Sequence, residues 1–330
     1  MHLKILTTDR FLAIIRMHYL EGQDLGGYHL STLIIRTKNS EIYQSYDPST
    51  SQKLAIKVYD YRFADTQSVE NEISLMEEIS SPYVVHPIYT FLDDYYRCIV
   101  MPLYSNGDLF DFIDQYDMLA VESNYEGTRE SVAVQIMYQA LRALEYLHSI
   151  GIWHRDIKPE NFLVEDRSLI VPKVLLCDFG YAKKFPSGAK CQEDLGTLLY
   201  NAPEIIKGEP YDESVDIWAM GVIMYILLSG ETPFPTNNNK IIRDSILEGT
   251  IDCERPSFNK VSPQGKSLIH KMLQYNPENR ISASDALQDD WFKTFFPNPT
   301  VPRLKRAITD QLGIPFDDDD FTFLNDTSHT

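Results

Sequence analysis

The sequence predicts an α+β chain in which a small strand-rich part comes first and a larger helical part follows. Three observations carry that expectation. Short β-type runs crowd the first hundred residues, the apolar spacing turns helical after Pro102, and one stretch of the later part is apolar all round. The chain has 330 residues, enough for two core-bearing units or one large unit of two lobes.

Taken in order, Thr32–Arg36 and Leu54–Val58 are short runs rich in β-branched and aliphatic residues, and both read as strands. The polar stretch between them, Asn39 to Gln52, holds Pro48 and several serines and reads as a loop. Val69, Ile73, Met76 and Ile79 recur at spacings of four, three and three, which predicts one helix inside the strand-rich part. Tyr96 to Met101 is a further strand. Beyond Pro102, Ile136, Ala140, Leu141, Leu144 and Leu147 line one face of a long helix. Asp216 to Ser229 reads as a central buried helix, and its apolar run Ile217–Leu228 is too short to span a bilayer. Ser282 to Phe292 reads as one more helix, with Ser282 and Ser284 as candidate caps. The expected divisions are an N-terminal extension over 1–18, a small lobe over 19–101, a large lobe over 102–296 and an acidic tail over 297–330.

Lysines and arginines number 30 against 48 aspartates and glutamates, a formal charge of −18. Such a surface repels phosphate backbones and anionic membranes and attracts cationic peptides, so neither nucleic acid nor membrane is an expected partner. Asp317–Asp320 concentrate part of the excess in a tail that reads as solvated. Cys98, Cys177, Cys191 and Cys253 are too scattered for a zinc knuckle or a redox pair and suggest a reducing compartment. Lys4, Asp9, Arg10 and Arg16 interrupt the apolar N-terminal stretch, which leaves no signal-peptide core. The expected location is cytoplasmic, with access to the nucleus left open.

The segment richest in chemistry is His154-Arg155-Asp156-Ile157-Lys158-Pro159-Glu160-Asn161. A carboxylate and a carboxamide on a loop after a helix can divide two tasks, one orienting a hydroxyl proton and the other holding a metal ion. Asp178-Phe179-Gly180 follows directly on the apolar run Val174-Leu175-Leu176. Either motif alone occurs by chance; the two in this order are specific. With Ala202-Pro203-Glu204 downstream and Leu54-Ala55-Ile56-Lys57 upstream, the chain from about Tyr19 to Phe292 resembles the eukaryotic protein kinase family.

The resemblance implies a bilobal kinase fold, a small antiparallel sheet lobe with one helix and a larger helical lobe. It also implies a serine/threonine protein kinase that uses ATP and Mg2+ and acts on protein substrates. Lys57 would bind the α- and β-phosphates and pair with Glu72. Asp156 would orient the substrate hydroxyl and take its proton, while Asn161 and Asp178 would hold magnesium. Lys158 would approach the transferred phosphate, and Thr197 would bond near Asp156 and Lys158, as in serine/threonine enzymes. The nucleotide would meet Leu25, Gly26, Leu33, Ala55, the gatekeeper Met101, the Pro102 carbonyl, the Tyr104 amide and Leu163. Asp108 and Glu160 would receive an arginine three residues before the acceptor. Glu204 would pair with Arg280, Asp216 would anchor the catalytic loop, and His154 and Phe179 would stack in the core with Met76. Arg155 would be neutralised by Glu193, so that no loop phosphorylation is needed.

Within the family, Asn106-Gly107-Asp108-Leu109-Phe110-Asp111 and Leu228-Ser229-Gly230-Glu231-Thr232-Pro233-Phe234 are most similar to the calcium/calmodulin-dependent group. No basic amphipathic calmodulin-target helix and no EF-hand loop accompanies them; Arg303, Lys305 and Arg306 read as an ordinary helix face. The glycine-rich loop departs from the family. In the register Tyr19-x-x-Gly22-x-x-Leu25-Gly26 the second and third glycines fall on Tyr28 and Ser31, and Leu33 takes the place of the valine over adenine; a rival register uses Gly22, Gly26 and Gly27. On that reading Tyr28 crowds the phosphates, Tyr28→Gly would lower the KM for ATP, and a pseudokinase scaffold is the alternative function.

Overall fold

A five-stranded antiparallel sheet organises the strand-rich part. Its spatial order is β3 (Thr32–Arg36), β4 (Glu41–Tyr46), β5 (Lys53–Asp60), β7 (Tyr96–Pro102) and β6 (Tyr89–Asp93). The structure is a computed structural model and describes residues 20–37, 39–122, 127–167 and 172–295. The N-terminal extension, Tyr19, the basic cluster at Arg303–Arg306 and the acidic tail lie outside the described residues.

The chain divides into two units. One runs to Glu77 and takes up His86–Leu103; the other holds Glu78–Val85 and everything from Tyr104 onward. In the first unit, β4 lies inside the stretch read from sequence as a loop, which corrects that reading. Tyr43 and Ser45 are buried while Ile42 and Gln44 alternate to the opposite face. A serine at an inward position and a glutamine at an outward one hide the strand among polar residues. One sheet face carries Tyr43, Leu54, Ile56, Val58, Cys98 and Val100, closed over by Leu20, Leu25 and Leu30. Leu25 lies in, and Leu30 just after, a short hairpin of β1 (Asp24–Leu25) and β2 (Tyr28–His29), whose turn is Gly26-Gly27. The other face carries Ala55, Lys57 and Tyr59. Helix α1 (Thr66–Glu78) belongs to this unit up to Glu77, and it buries Val69, Glu72, Ile73, Leu75 and Met76. Its start is fixed by Asp65, whose carboxylate accepts from Gln67 N at 3.2 Å and from the Ser68 hydroxyl at 2.6 Å.

The second unit is mainly helical: α2 (Leu109–Glu122), α3 (Arg129–Ser149), α4 (Pro203–Lys207), α5 (Ser214–Ser229), α6 (Asn239–Glu248), α7 (Pro263–Met272), α8 (Ala283–Leu287) and α9 (Asp290–Phe295). Helix α5 is buried on every side, as its uninterrupted apolar sequence demands. Two strand pairs, β8 (Ile152–Trp153) with β11 (Lys183–Lys184) and β9 (Phe162–Asp166) with β10 (Lys173–Leu176), bracket the motif-bearing loops. The helix expected over Ser282–Phe292 is two helices. Ser282 caps the first by accepting from Asp285 N at 3.1 Å. Asp289 accepts from Trp291 N at 2.9 Å and starts the second, so a side chain captures the amide that a continuous helix would use internally. Among the described residues no helix is long and apolar enough to cross a membrane.

Candidate active site

In the first unit, Lys57 Nζ lies 2.8 Å from Glu72 Oε1, and the Tyr59 hydroxyl donates to the other carboxylate oxygen. Lysine and glutamate are both buried, at 6% and 2% exposure. Two charges taken this far from water are tolerable only as a hydrogen-bonded pair. The pairing follows from local periodicity: Glu72 stands three residues after Val69, on the buried face of α1, and Lys57 alternates to that side of β5. Ala55 shares the face, two residues before Lys57, and Met101 stands directly across from Ala55 on β7. Pro102 ends β7 in this unit.

Leu25, Gly26 and Leu33 are not part of this site, which corrects the register read from sequence. Leu25 and Leu33 pack with Ile56, Val58 and Tyr43, whose side chains leave the sheet on the face opposite to Lys57. Gly26 is fixed there too: its amide donates to Asp93 Oδ2 at 2.7 Å, and a Cβ on it would stand 2.2 Å from Phe91 Cε2. Tyr28 stacks on Phe91 with ring centroids 5.9 Å apart. On β4 the residue that pairs with Lys57 is Ile42. The turn leading into it is Thr37–Ser40, which contains no glycine. Counting back one hairpin from Lys57, and not searching for glycines, would have found both.

In the second unit, Asp156 is held from both sides. Lys158 Nζ lies 2.6 Å from its Oδ2, and the Thr197 hydroxyl donates to Oδ1 at 3.0 Å. Lys158 also reaches Thr197 Oγ1 at 3.3 Å. Burial disfavours the lysine's charge, but Asp156, helped by the charges of Glu160 and Asp178, holds the Lys158 pKa above its usual value. Gly196 makes the approach of Thr197 possible. It sits at φ 88°, and a Cβ there would meet Arg155 O at 2.9 Å.

The loop itself is strained and anchored. Arg155 and Asp178 occupy the left-handed region at φ 66° and 62° without being glycine. Asp216, inside α5, accepts from His154 N at 2.9 Å and Arg155 N at 2.8 Å. It also pairs with His148 Nε2 at 3.0 Å. Burial alone would raise the Asp216 pKa; these bonds hold it below the usual carboxylate range. His154 is fully buried with its ring edge toward Phe179, centroids 5.2 Å apart, which fits a packing role.

Asn161 Nδ2 donates to Asp156 O at 2.7 Å, which leaves Oδ1 as the atom this side chain could offer to a metal. Cys177 N donates to Asn161 O at 2.8 Å, so the backbone ladder delivers Asp178 beside Asn161. Among the described residues no cluster of three or more His, Cys, Asp or Glu could hold a metal. The asparagine–aspartate pair nonetheless suits magnesium, which keeps waters and phosphate oxygens and takes few protein ligands.

The protein kinase domain family model matches residues 28–292. The chain belongs to that family. The chain is 35% identical to calcium-dependent protein kinase 4 of Plasmodium berghei over 277 residues, covering 82% of this chain and 51% of that protein. It is 32% identical to a probable myosin light chain kinase of Dictyostelium discoideum over 285 residues, covering 86% and 70%. With the human SNF-related serine/threonine-protein kinase the identity is 31% over 286 residues, covering 85% and 35%. The chain spans about half the length of the calcium-dependent relatives it matches. These relatives bear out the resemblance to serine/threonine kinases of the calcium/calmodulin-dependent type.

The remaining kinase positions fall in the second unit. Tyr104 opens it, with burial pushing its hydroxyl up to about 12. Leu163 on β9 bridges to Asp108. Asp108 caps α2, its Oδ1 accepting from Asp111 N at 2.9 Å, and burial raises its pKa. Glu160 is exposed. Arg155 Nη1 lies 3.2 Å from Glu193 Oε2, and Lys183 Nζ lies 3.2 Å from Glu193 Oε1. Burial would raise the Glu193 pKa, but Lys183 and Arg155 hold it below the usual range. Arg280 grips Glu204 with two bonds of 2.7 and 3.1 Å, both residues buried. Two participants were not foreseen. Arg167 has its Nη2 near Gly107, and its charge reaches Asp108; Lys183 becomes the second cation on Glu193.

Proposed function

We propose that the chain is a serine/threonine protein kinase that transfers the γ-phosphoryl group of Mg-ATP to hydroxyls of basic proteins. The observation that carries this is the Asp156 carboxylate fixed between Lys158 and Thr197. Phosphoryl transfer depends on positioning and charge neutralisation more than on covalent help from the protein. The substrate hydroxyl oxygen bonds to the γ-phosphorus as the bond to the ADP oxygen breaks, and the hydroxyl proton passes to Asp156. Lys158 stands beside Asp156, where its charge favours the phosphoryl oxygens in flight. Lys57, steadied by Glu72, holds the nucleotide's phosphates. Magnesium, when bound through Asn161 and Asp178, supplies charge neutralisation of the phosphates. The net charge of −18 and exposed Glu160 support cationic substrates. Four free thiols are in keeping with a cytoplasmic site of action.

Glu193 between Arg155 and Lys183 supports activity without loop phosphorylation. The glycine-free turn at Thr37–Ser40 favours the rival reading of a non-catalytic scaffold. A phosphotransfer assay on basic peptides separates the two. Asp156→Asn should lower kcat by at least about a hundredfold while leaving ATP affinity within a factor of about two. Wild-type turnover by the variant, or none from the wild type, would reject the catalytic reading.

A further inference from the structure

This inference rests on the nucleotide reading above and concerns how the first unit meets phosphate. Protein kinases cover the ATP phosphates with a glycine-rich loop whose amides approach the oxygens unobstructed. The corresponding hairpin here, β3 to β4, is closed by its own side chains. Thr37 N donates to Ser40 O at 2.9 Å. The Thr37 hydroxyl oxygen accepts from Asn39 N at 3.2 Å and from Ser40 N at 3.0 Å, and it lies 3.0 Å from Ser40 Oγ. At the base of the turn Arg36 Nε lies 2.9 Å from Glu41 Oε1. The next residue of β4, Ile42, stands directly across from Lys57.

An amide that already donates to a neighbouring hydroxyl is a poor donor to anything else until that bond is broken. We propose that Thr37 sets ATP affinity, its hydroxyl withholding the Asn39 and Ser40 amides from the nucleotide's phosphates. The phosphates then depend on Lys57 and the metal, and the protein binds Mg-ATP loosely relative to adenosine. Thr37→Ala removes the acceptor and frees both amides, whereas Thr37→Ser keeps it.

The test is calorimetric titration of the full chain and both variants with Mg-ATP and, separately, with adenosine. Thr37→Ala should lower the Kd for Mg-ATP about three- to tenfold and leave that for adenosine unchanged. Thr37→Ser should match the wild type. An unchanged or raised Kd for Mg-ATP in Thr37→Ala overturns the proposal. So does a parallel change for adenosine, an alanine-like result for serine, or failure of both wild type and Thr37→Ala to bind Mg-ATP. The adenosine titration also reports whether the variants are folded. Phosphotransfer is a separate readout: a wild type that transfers nothing defeats the kinase reading while the Thr37 affinities still decide this one.

Discussion

Asp156, Lys158, Asn161 and Asp178 were legible because each lies within a few residues of a motif that fixes its surroundings. Arg167 was not, because its role depends on where β9 turns. Its Nε donates to Asn106 O at 2.6 Å and its Nη1 to Gln115 Oε1 at 2.9 Å, which places a resident cation next to the loop bearing Asp108. Its positive charge favours ionised Asp108 against the opposing effect of burial. A substrate arginine offered to Asp108 therefore meets a carboxylate already engaged at the start of α2 and already facing a guanidinium. Arg167→Ala should raise the kcat/KM ratio of peptides with arginine over alanine three residues before the acceptor, by about three- to tenfold. Peptide pairs assayed with both enzymes measure it. An unchanged ratio would mean that Arg167 only fastens its own loop.

At the scale of elements, helices announced themselves and one strand did not. The apolar spacing of α1, α3 and α5 survives in the structure because each buries a continuous face. Strand β4 has its buried positions filled by Tyr43 and Ser45, so no apolar alternation marks it. Missing β4 moved the glycine search to the wrong hairpin, since Gly26-Gly27 forms a tight turn of its own at φ 55° and 87°. That hairpin covers the face of the sheet opposite to Lys57, which reverses the expectation for Tyr28. Tyr28→Gly should lower Tm through the lost stack on Phe91, with no fall in the KM for ATP. Gly26→Ala should cost about 1–3 kcal/mol of overpacking against Phe91, on top of backbone strain. Gly27→Ala meets nothing within 4 Å and should show the strain alone. Thermal melts of the three variants check the order. Equal losses for the two alanines would show that the hairpin does not pack against Phe91 as described.

For the molecule as a whole, an excess of −18 raises the question of what an added phosphate would contribute. The second unit carries an anion, Glu193, between Arg155 and Lys183. Arg155 donates to Tyr181 O at 2.8 Å and approaches Cys191 Sγ at 3.4 Å as well as Glu193, so one guanidinium ties the segment after Asp178 to the segment before Thr197. The Tyr211 hydroxyl donates to Glu193 O at 3.0 Å and fixes the backbone that presents the carboxylate. Order that rests on Glu193 has a different pH signature from order that rests on a phosphate. A carboxylate with a lowered folded pKa keeps its charge as pH falls through the ordinary glutamate value of 4.5, and loses it only below that. A phosphomonoester changes charge near pH 6. Enzyme treated with phosphatase, and shown by mass spectrometry to carry no loop phosphate, should therefore keep its kcat. Its kcat relative to Glu193→Gln should be constant from about pH 5.5 to 8. Glu193→Lys places three cations together and should abolish most activity, while Glu193→Gln, which keeps an acceptor oxygen, should lose less. Inactivity after dephosphorylation, or a step near pH 6 in that ratio, would show that a phosphate and not Glu193 orders the loop.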